Sequence, residues 1–269
     1  MYNNSHKVVR LLSPFAAKWF SGVNMKNLEI KQLEEKNDYT LGIKELDNAI
    51  GGIRKGSNIM LIGPPMSQKE VILRYIMYHG TAINDNAIIA VTTREPATYI
   101  LEWFKENQLV LPLSRIGIID CITKSLGRDA LETENIKFAS SPADLTGIGV
   151  RISQFLDDFH LKKKIPKIQL HINSLSAILM YSNIQTVFRF MHVFTGRIKE
   201  AEYLGIFIVD SGMHDDPTIT TLKQLFDGVI EIKEENDKNY IRTVGLSSKP
   251  TPWLEYEIEG GKLRINHDL

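Results

Sequence analysis

From Asn58 onward, short apolar runs and amphipathic runs take turns along the chain, and this alternation limits the fold more than any other feature. Asn58–Ile62, Ala87–Val91, Ile116–Ile122, Ile168–Ile172, Leu204–Val209 and Val229–Lys233 are short and mostly apolar, which suits a parallel sheet covered on both faces. Between them, Val71–Ile83, Pro96–Glu106, Ser182–Tyr203 and Asp216–Phe226 read as helices. Ser141-Pro142-Ala143-Asp144 has the form of a further helix start, with Ser141 as cap. The helix it opens carries Ile148, Ile152, Phe155, Leu156 and Phe159 on one face. Thr123–Ser140 has no persistent period and reads as a surface loop. The end changes character: Tyr240–Leu246, Leu254–Ile258 and Lys262–Ile265 read as antiparallel strands, the last two joined across Gly260-Gly261. One doubly wound α/β domain over residues 39–269 is the expected architecture.

The junction of the first strand and first long helix carries the chemistry. Gly63-Pro64-Pro65-Met66-Ser67-Gln68-Lys69-Glu70 follows the pattern of a phosphate-binding loop, G-x-x-x-x-G-K-[ST], at Gly63 and Lys69. Gln68 and Glu70 replace its second glycine and its hydroxyl residue. Such a loop works because backbone N–H groups and a helix N-terminus point at the anion, lysine adds a charge and the hydroxyl holds magnesium. At Gln68 a positive φ would strain any residue but glycine, and the side chain would narrow the pocket. Glu70 would face phosphate oxygens, and two unit charges about 4 Å apart at an effective dielectric near 20 repel by roughly 4 kcal/mol, on the order of a thousandfold in affinity. A bridging magnesium ion would relieve this. Lys69 and Glu70 also have plainer readings, as a solvated lysine and a dipole-favouring carboxylate in a first helical turn.

Charge and cysteine content exclude several alternatives. The 32 basic and 32 acidic residues cancel, so the overall field offers no attraction to nucleic acid. Cys121 is the only cysteine, which rules out an intramolecular disulfide or a cysteine zinc cage and fits a cytoplasmic setting. His79, His171, His192 and His214 show no metal-ligand spacing and read as packing or hydrogen-bonding residues. No apolar run reaches the roughly 20 residues of a membrane span. Val8–Val23, interrupted by Arg10, Pro14 and Lys18, reads as an amphipathic part of an N-terminal extension and linker over residues 1–38.

In order, these signals resemble the RecA superfamily, and within it the KaiC-like, RadA-related branch of P-loop ATPases. The approach Leu41-Gly42-Ile43 to Gly56-Ser57, the Gly63-Pro64-Pro65 turn, Val91–Pro96, Ile172-Asn173-Ser174-Leu175-Ser176, Gly212–Asp215 and Leu222–Glu231 all carry the likeness. The resemblance implies a RecA-like P-loop NTPase fold: a mostly parallel central sheet flanked by helices, with antiparallel strands at the C-terminal end. It also implies ATP and Mg²⁺ as ancestral ligands and homo- or hetero-oligomers with nucleotide between subunits. Asn173 stands at the Walker B position, where the family carries aspartate. Arg94-Glu95 replaces a carboxylate pair, leaving Glu95 as the candidate to orient water. Lys249 stands where relatives present a basic residue to a neighbouring subunit's nucleotide.

The altered positions cluster on the nucleotide site, so the expected function is a non-hydrolysing regulatory or assembly module, alone or beside an active paralogue. The alternative within the enzyme class is an unorthodox ATPase using Lys69, Glu70 as metal ligand and Glu95. A DNA-recombination accessory role rests on superfamily analogy alone.

Overall fold

The computed structural model describes residues 37–266. The expected extension lies outside them apart from Asn37 and Asp38, and so does the amphipathic stretch Val8–Val23. A two-stranded ribbon, β1 (Asn37–Tyr39) with β2 (Ile53–Arg54), brackets helix α1 (Lys44–Ile50). The main sheet is built on β3 (Asn58–Gly63), β4 (Ala87–Thr92), β5 (Ile116–Asp120), β6 (Ile136–Phe138), β7 (Ile168–Asn173), β8 (Leu204–Asp210) and β9 (Gly228–Glu235). To these are added β10 (Lys238–Val244), β11 (Leu254–Glu259) and β12 (Lys262–Ile265). Their order is β12-β11-β10-β9-β3-β8-β7-β4-β5-β6. From β9 to β6 every pairing is parallel, and from β9 to β12 every pairing is antiparallel. Gly260 and Gly261, both at positive φ, close the last hairpin, where a Cβ on Gly261 would meet the Trp103 ring at 2.8 Å.

Helices cover both faces, as a parallel sheet requires. On one side lie α2 (Lys69–Tyr78), with α1, and α3 (Ala97–Glu106). On the other lie α4 (Leu145–Leu156), α5 (Leu175–Tyr181), α6 (Ile184–Glu200) and α7 (Asp216–Lys223). This second face is one continuous apolar layer, running from Ile119 and Val91 through Phe155, Ile172 and Met191 to Phe207 and Leu222. The α2/α3 face is instead split into two clusters. One gathers Ile72 and Ile76 with Leu204, Ile206, Ile208 and Ile230, the other Ile100 and Phe104 with Ile88, Ile116 and Ile118.

Strand β7 causes the split. Its residues alternate, Ile168, Leu170 and Ile172 entering the continuous layer, while Gln169, His171 and Asn173 turn towards α2 and are buried there. Gly80, in the π-helical turn His79–Ile83 that extends α2, lies against this polar row; a Cβ there would come within 2.5 Å of Gln169 Nε2.

Several expected boundaries shift. The fourth long helix is capped by Asp144, not Ser141: the Asp144 carboxylate accepts from Gly147 N–H (2.7 Å) and from Ser140 Oγ (2.9 Å). The expected loop Thr123–Ser140 contains β6, which adds an edge strand to β5. Ser182–Tyr203 narrows to α6, capped by Asn183, and is preceded by the separate helix α5. Among the described residues no helix is long and apolar enough to cross a membrane.

Candidate functional site

Strands β3 and β8 pair in parallel with Gly63 opposite Asp210, so the exit of the first strand lies beside a carboxylate. After Gly63 the chain turns through Pro64–Gln68 and α2 begins at Lys69. The Lys69 side chain folds back over this turn. Its Nζ donates to Pro64 O at 2.8 Å and lies 2.7 Å from Asp210 Oδ1. Lys69 is fully buried and Asp210 is 2 % exposed, so the plain reading of Lys69 as a solvated lysine does not hold.

The neighbouring charges continue the pattern. Arg94, in the turn after β4, donates to Glu70 Oε1 at 2.9 Å and lies 3.6 Å from Asp210 Oδ2. Lys69, Asp210, Arg94 and Glu70 thus form a chain of alternating sign. Ser174 Oγ donates to Asp210 Oδ2 (3.3 Å), and Asp210 N–H donates to Ser176 Oγ (2.9 Å), which fixes the carboxylate from the start of α5. Glu95 is held elsewhere: Arg74 of α2 donates to its carboxylate and places its guanidinium 5.0 Å from the centre of the Trp103 ring.

The turn has an unusual backbone. Gln68 sits at φ 58, ψ 18 and Met66 at φ 63, in the left-handed region where a Cβ is penalised. Both side chains are exposed, so the strain expected at Gln68 is present in the backbone. Ser67 between them is buried, and its carbonyl accepts from Tyr256 OH (3.2 Å) on β11. Pro64 and Pro65 contribute no N–H to the turn.

Asn173 closes β7 next to this cluster. Its carbonyl accepts from Thr93 N–H (2.8 Å), while its side-chain Oδ1 is buried without a partner. Thr93 is bracketed against Ser174, accepting from Ser174 N–H (2.5 Å) and donating to Ser174 O (2.9 Å). The fold therefore brings together Gly63–Glu70, Arg94 and Asn173. Lys249 stays apart: it is exposed in the β10–β11 connection, and no hydrogen bond or ion pair joins it to the turn. Asp210, the partner of Lys69, was not among the residues singled out from sequence. Its signal is an acidic residue closing the otherwise apolar Leu204–Val209 strand.

His171 is fully buried and shares a hydrogen bond with Gln169 Oε1 (2.9 Å); burial pulls its pKa down from 6.5 to about 3. Among the described residues no three His, Cys, Asp or Glu side chains group so as to hold a metal ion.

A sheet whose loop-bearing strand lies between β8 and β9, covered on both faces and extended by antiparallel strands, defines an α/β protein with a RecA-like fold. Two solved structures share it. One is the uncharacterized protein PH0321 from Pyrococcus horikoshii, in complex with an unknown peptide. It is 16% identical with a TM-score of 0.67, over 85% of this chain and 98% of that one. The other is the KaiC-like protein PH0186 from Pyrococcus horikoshii OT3, 14% identical with a TM-score of 0.61, over 86% and 97% of the two chains. The chain belongs to a family of unknown function, DUF7504, whose model matches residues 56–232. No curated protein matches it.

Proposed function

We propose that this protein is a KaiC-like member of the RecA superfamily whose nucleotide site is degenerate and does not hydrolyse ATP, and that it serves as a regulatory or assembly module. The observation that carries this reading is the ion pair between Lys69 and Asp210. In a working phosphate-binding loop the lysine charge is offered to the phosphates; here it is buried against a carboxylate at 2.7 Å. Polyphosphate entering this seat has to displace Asp210 and then lies next to two carboxylates, Asp210 and Glu70. Repulsion from one such charge about 4 Å away is worth roughly 4 kcal/mol at an effective dielectric of 20.

The residues also fit Mg·ATP poorly in their other roles. Glu70 is engaged by Arg94, Glu95 by Arg74, and Asn173 brings no charge to the Walker B position. An ATPase using Lys69, Glu70 and Glu95 would have to release three ion pairs before its first turnover. The single cysteine, buried and free, accords with a cytoplasmic protein. The module would act as a homo-oligomer, or beside an active paralogue to which Lys249 is presented.

The deciding experiment is a calorimetric Mg·ATP titration of the full chain beside a Gln68→Gly, Glu70→Thr double variant. Binding by the double variant alone supports the reading. Magnesium-dependent ATP turnover by the unmodified protein, lost in Lys69→Ala, overturns it in favour of the ATPase.

A further inference from the structure

The polar row on β7 and Arg74 of α2 leave three unsatisfied groups around one small cavity. Arg74 Nε, His171 Nδ1 and Asn173 Oδ1 are each buried without a hydrogen-bond partner. Their residues line a cavity of about 20 Å³ beneath α2, closed on its other sides by Leu73, Met77 and Ile100. A single water needs roughly 10–15 Å³ of such space, together with two to four polar partners.

We propose that this cavity is a built binding site for one water molecule, held between Arg74 Nε, His171 Nδ1 and Asn173 Oδ1. The chemistry selects water over an ion. Arg74 Nε–H is a donor and Asn173 Oδ1 an acceptor, so the occupant must both accept and donate. His171 does not change this requirement. With its proton on Nε2, given to Gln169 Oε1, its Nδ1 accepts; in the other tautomer it donates, and water serves either. The lining also carries one cation and one carboxylate, Arg74 and Glu70, so no net charge calls for a counter-ion. A buried polar group left dry loses its hydration without compensation, and a water with three bonds removes that penalty at all three.

The water adds a polar link between two elements that already pack together, α2 and β7. It ties the arginine that holds Glu95 to the strand that ends in Asn173, through the gap between the two apolar clusters of this face. A second small cavity, of about 10 Å³ and lined largely by Ile152, Leu156, Ile168, Leu170, Phe194 and Ile198, is expected to be dry.

The test uses the full chain in two ways. A crystal structure resolving ordered solvent should show one density peak within hydrogen-bonding reach of all three atoms, and none in the apolar cavity. In solution, protein carrying ¹⁵N-labelled arginine should show cross-relaxation between Arg74 Hε and water, with the sign of a long-lived contact. Arg74→Lys assigns the signal by its loss. An empty cavity, an Arg74 Nε bonded directly to Asn173 Oδ1, or an Arg74 Hε without contact to water overturns the proposal.

Discussion

Lys69 and Asp210 meet inside the protein at 2.7 Å, an ammonium from the start of one helix against a carboxylate from the end of the neighbouring strand. Both are shielded from solvent, so the pair responds asymmetrically to mutation. Removing one member leaves an uncompensated buried charge, which costs about 3–5 kcal/mol, whereas replacing both by neutral residues is far milder. Asp210→Asn should therefore lower the urea midpoint strongly, and Lys69→Met with Asp210→Asn should recover most of the loss. Additive effects in that double-mutant cycle would contradict a coupled pair.

The left-handed turn makes a second, opposite prediction. Gln68 occupies φ 58, where a Cβ costs roughly 1–2 kcal/mol, while glycine loses about 0.5–1 kcal/mol through its freer unfolded state. Gln68→Gly should leave stability unchanged or raise it by up to about 1 kcal/mol. A clear loss in a denaturant titration would mean that the exposed side chain makes a stabilising contact.

Acid should weaken the fold through His171. Above pH 6.5 the imidazole is neutral in both states. Between 6.5 and about 3 the unfolded chain takes up a proton that the buried site refuses. Stability should fall across that window by about 1.4 kcal/mol per pH unit from this group alone. His171→Gln should flatten that part of the profile of unfolding free energy against pH.

Cys121 should be silent towards thiol reagents in the native state. Burial, with the charge of Asp120 beside it, pushes its thiol pKa far up, so little thiolate exists to react. Titration with an aromatic disulfide should release colour only once the chain is unfolded. Rapid labelling of folded protein would show that β5 opens readily.

Much of this architecture is written locally. The strand–loop–helix alternation and the Gly260-Gly261 hairpin follow from periodicity and turn chemistry, and the sheet has the mostly parallel order with antiparallel end that they imply. At the helix start near Ser141, the serine is the expected cap and Asp144 the observed one. Asp144 prevails because its carboxylate reaches both Gly147 N–H and Ser140, which a serine hydroxyl at 141 cannot do from outside the turn. The site was only half visible. Gly63–Glu70, Arg94 and Asn173 stand out one by one, but their partners depend on register between distant strands. Asp210 meets Lys69 because it lies opposite Gly63, and Arg94 meets Glu70 because β4 and β3 end at the same rim of the sheet. Gln169 and His171 illustrate the same limit. The Ile168–Ile172 run is expected in a sheet covered on both faces, and it lies there between β8 and β4, but that its two polar residues are buried towards α2 depends on packing that the run itself does not show.

That polar row also gives the molecule a mechanical grain. On the α4–α7 face the apolar layer is unbroken and should behave as a single plate. On the opposite face α3 rests on a smaller island of Ile100, Phe104, Ile88, Ile116 and Ile118, joined by Met77 of α2, with the buried side chains of Gln169, His171 and Asn173 along much of its boundary. Lifting that island exposes little of the larger cluster, so amides of α3 should exchange with deuterium as a group ahead of those in β3 and β8. Early, grouped exchange of α3 would mark the polar row beside the charged cluster as a line along which one helix yields while the strands behind it stay fixed; exchange of α3 no faster than that of β3 would show the two clusters acting as one.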